Sequence, residues 1–370
     1  MIRSKLIQFI SSSPFISPTS FSTINKTFLS STSNGAIYSI RMSSSGSGTK
    51  PKVFVSRPDI PKAAMKLLED KFQLTIWTEP RPVPRDFLLQ NVGGSDALYC
   101  LITDKIDKEL LDAAGPNLKV IGTMSVGHDH IDMPEVKKRG IQVGFTPNVL
   151  TNATAETTLA VLLAASRRMF EAREELLNGG WAKSAWGPEY LCGQELTDST
   201  VGIYGMGRIG QAVMKRLKAF DVAKFLYSGR SAKPELKDEA NFVDFDTLCK
   251  ESDFVIVTCA LTPETKEIFN ERAFSLMKPN CVFVNTSRGG TVDQEALIKA
   301  LKTNQIFSAG LDVMTPEPLP LDHELTKIRN CVVVPHIGSA TYKARTDMAV
   351  TTAKNIIAAL EGTPMPAKLC

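Results

Sequence analysis

Val201-Gly-Ile-Tyr-Gly205-Met-Gly207-Arg-Ile-Gly210 joins an apolar strand to a glycine-rich turn, and Gln211-Ala-Val-Met-Lys-Arg-Leu continues it as an amphipathic helix. Gly205 permits the tight turn, Gly207 lets the backbone approach a pyrophosphate, and Gly210 lets the helix pack closely on the strand. The helix N-terminus attracts the phosphate charge. This order of strand, turn and helix predicts a dinucleotide-binding site in an α/β fold.

Apolar strands alternate with helical segments on both sides of this turn. Downstream, six strands are predicted near residues 201–204, 224–228, 253–258, 281–285, 307–311 and 331–334. Upstream, five are predicted near residues 52–56, 72–77, 97–102, 118–124 and 141–145. Short apolar runs separated by helices are typical of parallel strands with right-handed crossovers.

We therefore predict an α/β protein with two doubly wound parallel-sheet domains, a Rossmann cofactor domain and a flavodoxin-like substrate domain, and the active site in the cleft between them. Residues 149–338 are expected to form the cofactor domain. Residues 51–148 and 339–370 are expected to form a discontinuous substrate-binding domain, because a last helix from Lys343 to Leu360 follows the final strand. The helix from Thr151 to Arg168 is apolar on most faces, which predicts burial between domains or against a partner subunit.

The composition is that of an ordinary globular protein, 43% hydrophobic and 22% charged over 370 residues. The net charge is +4, but residues 1–50 carry five Lys or Arg and no Asp or Glu, which leaves 38 basic against 39 acidic residues in the rest. The remainder of the chain therefore offers no electrostatic case for binding nucleic acid or an anionic membrane. Seven cysteines without C-x-x-C spacing favour buried free thiols over a disulfide frame or a metal site.

Residues 1–50 differ in kind from the rest, because twenty of them are Ser or Thr and none is acidic. This composition predicts a transit peptide or disordered leader and import into mitochondria, with translation from Met42 giving a cytosolic form. The alternative is a disordered tail without a targeting role. No window reaches the roughly 18 apolar residues of a membrane span.

Three of the predicted strands run directly into polar side chains. Cys281-Val-Phe-Val-Asn-Thr-Ser leads to Arg288, Phe307-Ser-Ala-Gly-Leu leads to Asp312 with Glu317 soon after, and Cys331-Val-Val-Val-Pro leads to His336. Because parallel strands end at one edge of the sheet, these groups are expected to converge where open α/β sheets bind ligands. Each has an ordinary explanation when taken singly, and only their joint placement favours an enzyme.

These residue types suit hydride transfer to a carbonyl. A histidine titrates near neutral pH and can donate a proton to the developing alkoxide, and a carboxylate such as Glu317 would stabilise its charged form. An arginine grips a carboxylate at two points and stays charged. We therefore expect His336 as the proton donor, Glu317 as its partner and Arg288 as the substrate-binding cation.

The first strand after the glycine turn, near residues 224–228, predicts at its end which dinucleotide is bound. An acidic residue there would hold the ribose 2′-hydroxyl of NAD, but this chain has Ser228-Gly-Arg230-Ser231-Ala-Lys233. Arg230 can bind a 2′-phosphate through charge-assisted hydrogen bonds, with Ser231 and Lys233 adding to it. We therefore expect NADP(H) to be preferred over NAD(H). The alternative is that Arg230 and Lys233 are solvated surface charges.

The chain resembles the D-isomer-specific 2-hydroxyacid dehydrogenase family, and the resemblance covers nearly everything from residue 52 to 366. The motifs that carry it are Asn285-Thr-Ser-Arg288-Gly, Gly310-Leu-Asp312-Val, Glu317-Pro-Leu-Pro, Pro335-His336-Ile-Gly-Ser339-Ala-Thr, Thr123-Met-Ser-Val126-Gly127, Gly179-Gly-Trp181, Leu191-Cys-Gly and Phe225-Leu-Tyr-Ser-Gly-Arg230.

The resemblance implies reduction of glyoxylate to glycolate and of hydroxypyruvate to D-glycerate with NADPH by a homodimer. It implies that Arg288, Glu317 and His336 act in catalysis, that backbone at Val126 and Gly127 binds the substrate carboxylate, and that Ser339 lies beside the reacting centre. The residues it implies along the NADPH site are Gly207, Arg208, Ile209, Arg230, Ala260, Thr286, Asp312 and Gly338. It also implies that Trp186 reaches into the partner's pocket, although two extra residues around 183–185 depart from the pattern.

Two other functions stay open. One is a different D-2-hydroxyacid dehydrogenase that uses NAD, such as a 3-phosphoglycerate dehydrogenase. The absence of an acid at residue 228 speaks against NAD. The other is a dinucleotide-sensing corepressor of the same fold, which the organelle-type leader speaks against.

Overall fold

The fold consists of two β-sheets, each flanked by helices. A computed structural model of the chain describes residues 50–184 and 186–370, together with the backbone of strands at 25–32 and 35–41. The strands are β1 Asn25–Thr32, β2 Gly35–Arg41, β3 Lys52–Val55, β4 Gln73–Trp77, β5 Ala97–Cys100, β6 Val120–Thr123, β7 Gln142–Gly144, β8 Thr200–Tyr204, β9 Lys224–Ser228, β10 Asn241–Phe242, β11 Phe254–Val257, β12 Val282–Asn285, β13 Ser308–Leu311 and β14 Cys331–Val333. The helices are α1 Lys62–Glu69, α2 Arg85–Asn91, α3 Lys108–Ala114, α4 Met133–Lys138, α5 Thr151–Ser166, α6 Met169–Leu177, α7 Gly180–Ser184, α8 Arg208–Leu217, α9 Phe245–Glu251, α10 Glu271–Leu276, α11 Gln294–Lys302 and α12 Tyr342–Leu360.

The first sheet contains the five predicted strands in the order β4-β3-β5-β6-β7, all parallel. This is the flavodoxin-like order, in which the order of successive strands across the sheet reverses between β3 and β5. The backbone of β1 and β2 forms an antiparallel hairpin, and β2 pairs with the edge strand β4. The remainder of the predicted leader lies outside the described residues.

The second sheet is parallel throughout and has the order β10-β9-β8-β11-β12-β13-β14. Its strands reverse order between β8 and β11, as in dinucleotide-binding folds. The sheet has seven strands where the sequence predicted six. The additional strand, β10, is only two residues long and exposed, so it carries no apolar periodicity from which it could be predicted. The predicted architecture of two α/β sheets is confirmed.

Helix α5 is buried within its own chain. Its side chains join the core beneath the second sheet, where Leu162 is fully buried. Ala165 O accepts a hydrogen bond from Ser308 Oγ at 3.1 Å, and a side chain at Gly310 would collide with Val161. Ala153, at the start of α5, joins the core of the first sheet, so the apolar surface of the helix is covered by both sheets of its own chain.

The end of the chain returns to the first sheet. Ala349, Ala353 and Ile356 of α12 are buried in the same core as Val53 of β3. The last residues then run beside β7, where Leu369 N donates to Val143 O at 2.7 Å. The chain therefore crosses from the second sheet back to the first immediately after the segment that holds His336.

None of the helices in the part of the chain that the structure describes is both long and apolar enough to cross a membrane. The same residues contain no group of three or more His, Cys, Asp or Glu that could hold a metal ion. All seven cysteines are free, and four of them are buried, namely Cys100, Cys249, Cys281 and Cys331.

Candidate active site

Three neighbouring strands of the second sheet deliver the expected chemical groups to one edge. Strand β12 pairs with β13, and β13 pairs with β14, all parallel and in register. Arg288, Asp312 and His336 follow these strands, and Glu317 follows in the loop after β13. The parallel arrangement therefore brings the four side chains to the carboxyl edge.

Glu317 and His336 are in direct contact. Nδ1 of His336 lies 2.7 Å from Oε2 of Glu317, and Oε1 of Glu317 accepts the N–H of Met314 at 3.0 Å. Burial opposes ionisation of Glu317, but the hydrogen bond and charge of His336, the Met314 N–H and the charge of Arg288 together hold the pKa of this carboxyl below its usual value. An ionised carboxylate only accepts hydrogen bonds, so Nδ1 of His336 carries a proton.

The backbone at His336 is left-handed, with φ 51°, which is uncommon for a residue other than glycine. Asp312 holds this turn. Its backbone O accepts the N–H of His336 at 2.9 Å, and its two carboxylate oxygens accept the N–H groups of Ile337 and Gly338 at 2.6 and 2.8 Å. Burial raises the pKa of Asp312 although these bonds and the charge of His336 oppose it. The strained turn fixes the direction of the imidazole.

Arg288 reaches across to the loop that follows β6 of the first sheet. Its Nε donates to Oδ1 of Asp129 at 2.9 Å, and one Nη1 hydrogen goes to Ser287 O at 2.9 Å. A Cβ at Gly127 would stand 1.9 Å from Nη2, so the guanidinium lies directly against this glycine. Arg288, from the second sheet, and Gly127, from the first, are thus neighbours.

A chain of hydrogen bonds shapes the loop at Val126 and Gly127. Ser125 Oγ donates to Gly127 O at 2.7 Å, Thr123 Oγ1 lies 2.7 Å from Ser125 Oγ, and Nε2 of His130 lies 3.0 Å from Thr123 Oγ1. Because the chain ends at a carbonyl, which can only accept, each hydroxyl donates toward it and Nε2 of His130 carries the proton. Burial lowers the pKa of His130 to about 4, since the charge of Asp129, which opposes this shift, is countered by that of Arg288. His130 is therefore neutral near neutral pH.

Asp129 and His130 were not among the residues singled out from the sequence. The available signal was their position, since both closely follow the carboxyl end of a buried strand, β6. His128 is exposed at this loop.

The glycine turn between β8 and α8 has the close contacts that its sequence predicts. Gly205 has φ 101°, and a Cβ there would lie 2.5 Å from the backbone N of Cys259. A Cβ at Gly210 would lie 2.6 Å from Gly205 O, so only glycine lets helix and strand approach this closely. A Cβ at Gly207 would meet nothing within 4 Å, which leaves open space in front of the first turn of α8.

The loop after β9 exposes the predicted phosphate-binding side chains. Arg230 and Ser231 are exposed, and Arg230 makes no ion pair with any described residue. Lys233 N donates to the hydroxyl of Tyr227 at 2.7 Å, which anchors the loop to the sheet. Ser228 is buried at the strand end.

The remaining predicted cofactor residues surround the turn or the His336 loop. Arg208 and Ala260 are exposed, whereas Gly338 is buried. Ile209 packs against the cores of both sheets. Thr286 is buried, with Oγ1 2.8 Å from Thr158 Oγ1 of α5. Ser339 is half-buried just beyond His336.

Trp186 lies apart from these groups, with 85% of its surface exposed. Large apolar side chains of α6 and α7 are exposed in the neighbouring segment, including Leu177 at 65% and Trp181 at 56%. A cavity of about 280 Å³ lies among them, lined by Ala172, Leu176, Trp181, Tyr190 and Leu191.

Residues 159–338 match the family model described as D-isomer specific 2-hydroxyacid dehydrogenase, NAD binding domain. The chain is 50% identical over 323 residues to a glyoxylate reductase/hydroxypyruvate reductase of Mus musculus, covering 86% of this chain and 97% of that protein. It is 49% identical over 317 residues to a glyoxylate reductase of Thermococcus litoralis, covering 85% and 95%.

Solved structures are similar to this chain over most of its length. The TT0316 protein from Thermus thermophilus has a TM-score of 0.80 at 42% identity, over 86% of this chain and 100% of that one. An NADPH-dependent glyoxylate/hydroxypyruvate reductase from Sinorhizobium meliloti in complex with NADP and malonate has a TM-score of 0.76 at 28% identity, over 87% of this chain and 97% of that one.

Proposed function

The chain belongs to the D-isomer-specific 2-hydroxyacid dehydrogenase family, and we propose that it reduces small 2-ketoacids with NADPH, converting glyoxylate to glycolate and hydroxypyruvate to D-glycerate. The observation that carries the proposal is the 2.7 Å contact between His336 and Glu317, at the same sheet edge as Arg288. A proton donor with a fixed partner and a carboxylate-binding cation are the groups that this reaction requires.

The residues at the glycine turn fit a dinucleotide. Gly207 leaves open space before the first turn of α8, where backbone N–H groups favour a pyrophosphate. Gly205, Gly207, Arg208, Ile209 and Gly210 would hold it there. Ala260, Thr286, Asp312 and Gly338 would lie along its path toward His336. When bound, NADPH supplies the hydride that adds to the substrate's carbonyl carbon.

His336 donates a proton to the carbonyl oxygen as negative charge develops on it. Its Nδ1 is held by Glu317, so Nε2 is the nitrogen that faces the substrate. The ionised carboxylate stabilises the protonated imidazole before transfer and fixes its orientation. Arg288 and the backbone N–H groups of Val126 and Gly127 bind the substrate carboxylate, and Ser339 lies beside the carbonyl.

NADPH is the preferred cofactor because no carboxylate stands at the end of β9. Arg230 is exposed there without an ion-pair partner among the described residues, so it is free to bind a 2′-phosphate with Ser231 and Lys233. Arg230→Asp should lower the ratio of kcat/KM for NADPH to that for NADH by at least about tenfold, the equivalent of one charge-assisted hydrogen bond. Lys250→Asp, an exposed charge reversal on α9, is the control. An unchanged ratio in Arg230→Asp would refute the preference.

We further propose the division of the chain into a substrate-binding domain, residues 51–148 and 339–370, and a cofactor domain, residues 149–338. The paths of α12 and of the last residues beside β7 support it. A homodimer would cover the exposed side chains of α6 and α7, and would bring Trp186 toward the partner's pocket.

Residues 1–50 are proposed to direct import into mitochondria, on the strength of their Ser/Thr-rich and acid-free composition. Fusing these residues to a fluorescent reporter should give a mitochondrial signal, with a cytosolic pool from initiation at Met42. A Met42→Leu version should remove that pool. A reporter that stays diffuse in the cytosol with both versions rules out import.

The decisive experiment compares glyoxylate and hydroxypyruvate, each with NADPH and NADH, in steady state. Turnover of both ketoacids with a higher kcat/KM for NADPH is expected. His336→Gln should nearly abolish turnover and leave NADPH binding unchanged. Turnover only of a phosphorylated substrate with NAD would indicate the 3-phosphoglycerate type of dehydrogenase, and no turnover with retained peptide binding would indicate a corepressor.

A further inference from the structure

The pair formed by Arg288 and Asp129 joins the two sheets at the substrate site. Asp129 lies in the loop after β6 and Arg288 in the loop after β12. The side chains are only 31% and 22% exposed, and their closest atoms are 2.9 Å apart. The charge of Arg288 and its hydrogen bond hold the pKa of Asp129 below its usual value although burial opposes this. Asp129 is therefore a carboxylate near neutral pH.

Asp129 contacts only the inner nitrogen of the guanidinium. A guanidinium has five N–H donors, and in this chain Nε goes to Asp129 and one Nη1 hydrogen goes to Ser287 O. Both Nη2 hydrogens and the second Nη1 hydrogen have no acceptor among the described residues. Asp129 thus holds the side chain from one side and leaves its terminal edge for a carboxylate.

The position of that edge is set by the neighbouring loop. Nη2 of Arg288 lies against Gly127, where a Cβ would approach to 1.9 Å. The carbonyl of Gly127 accepts a hydrogen bond from Ser125 Oγ at 2.7 Å. Asp129 belongs to this same loop. The acceptor that orients Arg288 and the backbone proposed to bind the substrate carboxylate therefore belong to one loop.

We propose that Asp129 is a positioning residue, which orients Arg288 for the ketoacid carboxylate before the substrate arrives. An unrestrained arginine side chain loses rotamer freedom when it is fixed. Holding it beforehand shifts this cost from substrate binding to folding, and a misplacement of about 1 Å at such a site can cost on the order of 100-fold in rate. The inference rests on the proposed function, because it assigns Arg288 to substrate binding.

If the negative charge of Asp129 alone mattered, removing it would have the opposite effect on substrate binding. Removing Asp129 makes the site more positive, so if the carboxylate merely competed with the substrate for Arg288, its loss would lower KM and tighten anion binding. Orientation predicts weaker binding and slower turnover in spite of the added positive charge. The sign of the effect therefore separates the two roles.

The test uses the full-length enzyme and measures kcat and KM for glyoxylate with NADPH, and the affinity for oxalate, an unreactive analogue, in the presence of NADPH. Asp129→Ala should lower kcat/KM by about 10- to 100-fold and weaken oxalate binding, while NADPH binding stays the same. Asp129→Asn keeps an acceptor for Nε and should recover part of the loss. Asp59→Ala removes a carboxylate from another arginine pair, with Arg57, and should change these values less than about twofold.

A double-mutant cycle with Arg288→Lys shows whether Asp129 acts through the guanidinium. Lysine has a methylene where Nε stands, so the substitution removes the hydrogen bond from Nε to Asp129 and keeps the positive charge. In that background Asp129→Ala should change kcat/KM by less than about threefold, because the two residues act as one unit. An equal loss in both backgrounds, an unchanged kcat/KM or a lower KM would each overturn the inference and leave the proposed function intact. A wild-type enzyme without activity on either ketoacid would overturn both.

Discussion

Nδ1 of His336 lies 2.7 Å from Oε2 of Glu317, and the second oxygen of that carboxylate accepts the N–H of Met314 at 3.0 Å. Both oxygens are therefore committed, and the carboxylate cannot rotate without losing a hydrogen bond. Because Arg288 also contributes to the low pKa of Glu317, the cation proposed to bind substrate helps to keep the partner of the imidazole ionised. The proposed substrate-binding and proton-donating groups are thus electrostatically linked.

Glu317→Gln should lower kcat/KM for ketoacid reduction by about 100-fold, within the range of general acid catalysis. The neutral amide no longer stabilises a protonated imidazole, so the pH dependence of reduction should change. A pH profile of kcat/KM checks this. Glu324 lies in the same segment between β13 and β14 but pairs with Lys302, so Glu324→Gln should leave the profile unchanged. A profile identical to wild type in Glu317→Gln would show that the carboxylate does not support the proton donor.

Two glycines of the cofactor turn should respond differently to the same substitution. In Gly207→Ala the new methyl group meets nothing within 4 Å, so the melting temperature should stay near that of wild type while NADPH affinity falls at least about tenfold. In Gly210→Ala the methyl group would lie 2.6 Å from Gly205 O, so both affinity and stability should fall. Thermal unfolding and NADPH titration of the two variants measure the contrast. Equal melting temperatures for both variants would contradict the packing role of Gly210.

Local sequence patterns were sufficient to predict the strand ends that carry the chemistry. The apolar runs of β12, β13 and β14 are long enough to define parallel strands, and the parallel arrangement alone brings Arg288, Glu317 and His336 to one edge. The glycine turn was predictable for the same reason, because its strand, glycines and helix follow one another in a single short segment of the sequence. Strand β10 and the short helix α2, Arg85–Asn91, carry too few apolar positions for a period to be recognised.

The relation between Asp129 and Arg288 was not predictable in that way. The two residues are 159 positions apart, on different sheets, and their contact depends on how the two sheets face each other. Nothing in either local segment encodes that orientation. The same applies to His130, whose burial results from the packing around its loop. Helix α5 shows the converse, since its apolar surface predicted burial between the two sheets or against a partner subunit, and the helix contributes to the cores of both sheets.

His130 should make the fold less stable in mild acid. Burial and the charge of Arg288 lower its pKa to about 4, whereas an unfolded chain has a histidine pKa of about 6.5. Between these values the unfolded state binds more protons than the folded state, so the free energy of unfolding rises with pH across this window and then levels off. His130→Gln should reduce that rise by on the order of 2 kcal/mol.

Urea unfolding at pH values of about 4.5, 5.5 and 7.0, which span the window between the two pKa values, checks this prediction. Near neutral pH the variant should be less stable than wild type, since the hydrogen bond to Thr123 is disturbed, and the difference should narrow as the pH falls. His128→Gln, an exposed histidine in the same loop, is the matched control and should keep the wild-type pH dependence. A His130→Gln variant with the same pH dependence as wild type would show that His130 does not titrate within this window.

The exposed apolar side chains of α6 and α7 predict the oligomeric state. Leu177 is 65% and Trp181 56% exposed, beside a cavity of about 280 Å³, and a cluster of exposed apolar side chains of this kind favours association with a second copy. Wild type should therefore have twice the 40.4 kDa mass of one chain in light scattering, less any processed leader. The double variant Leu177→Glu, Trp181→Glu should have the mass of one chain, because each buried carboxylate would lack a partner in the interface. Leu321→Glu changes a leucine that is 94% exposed elsewhere and should remain dimeric. If the double variant keeps the wild-type mass, the interface does not involve these helices.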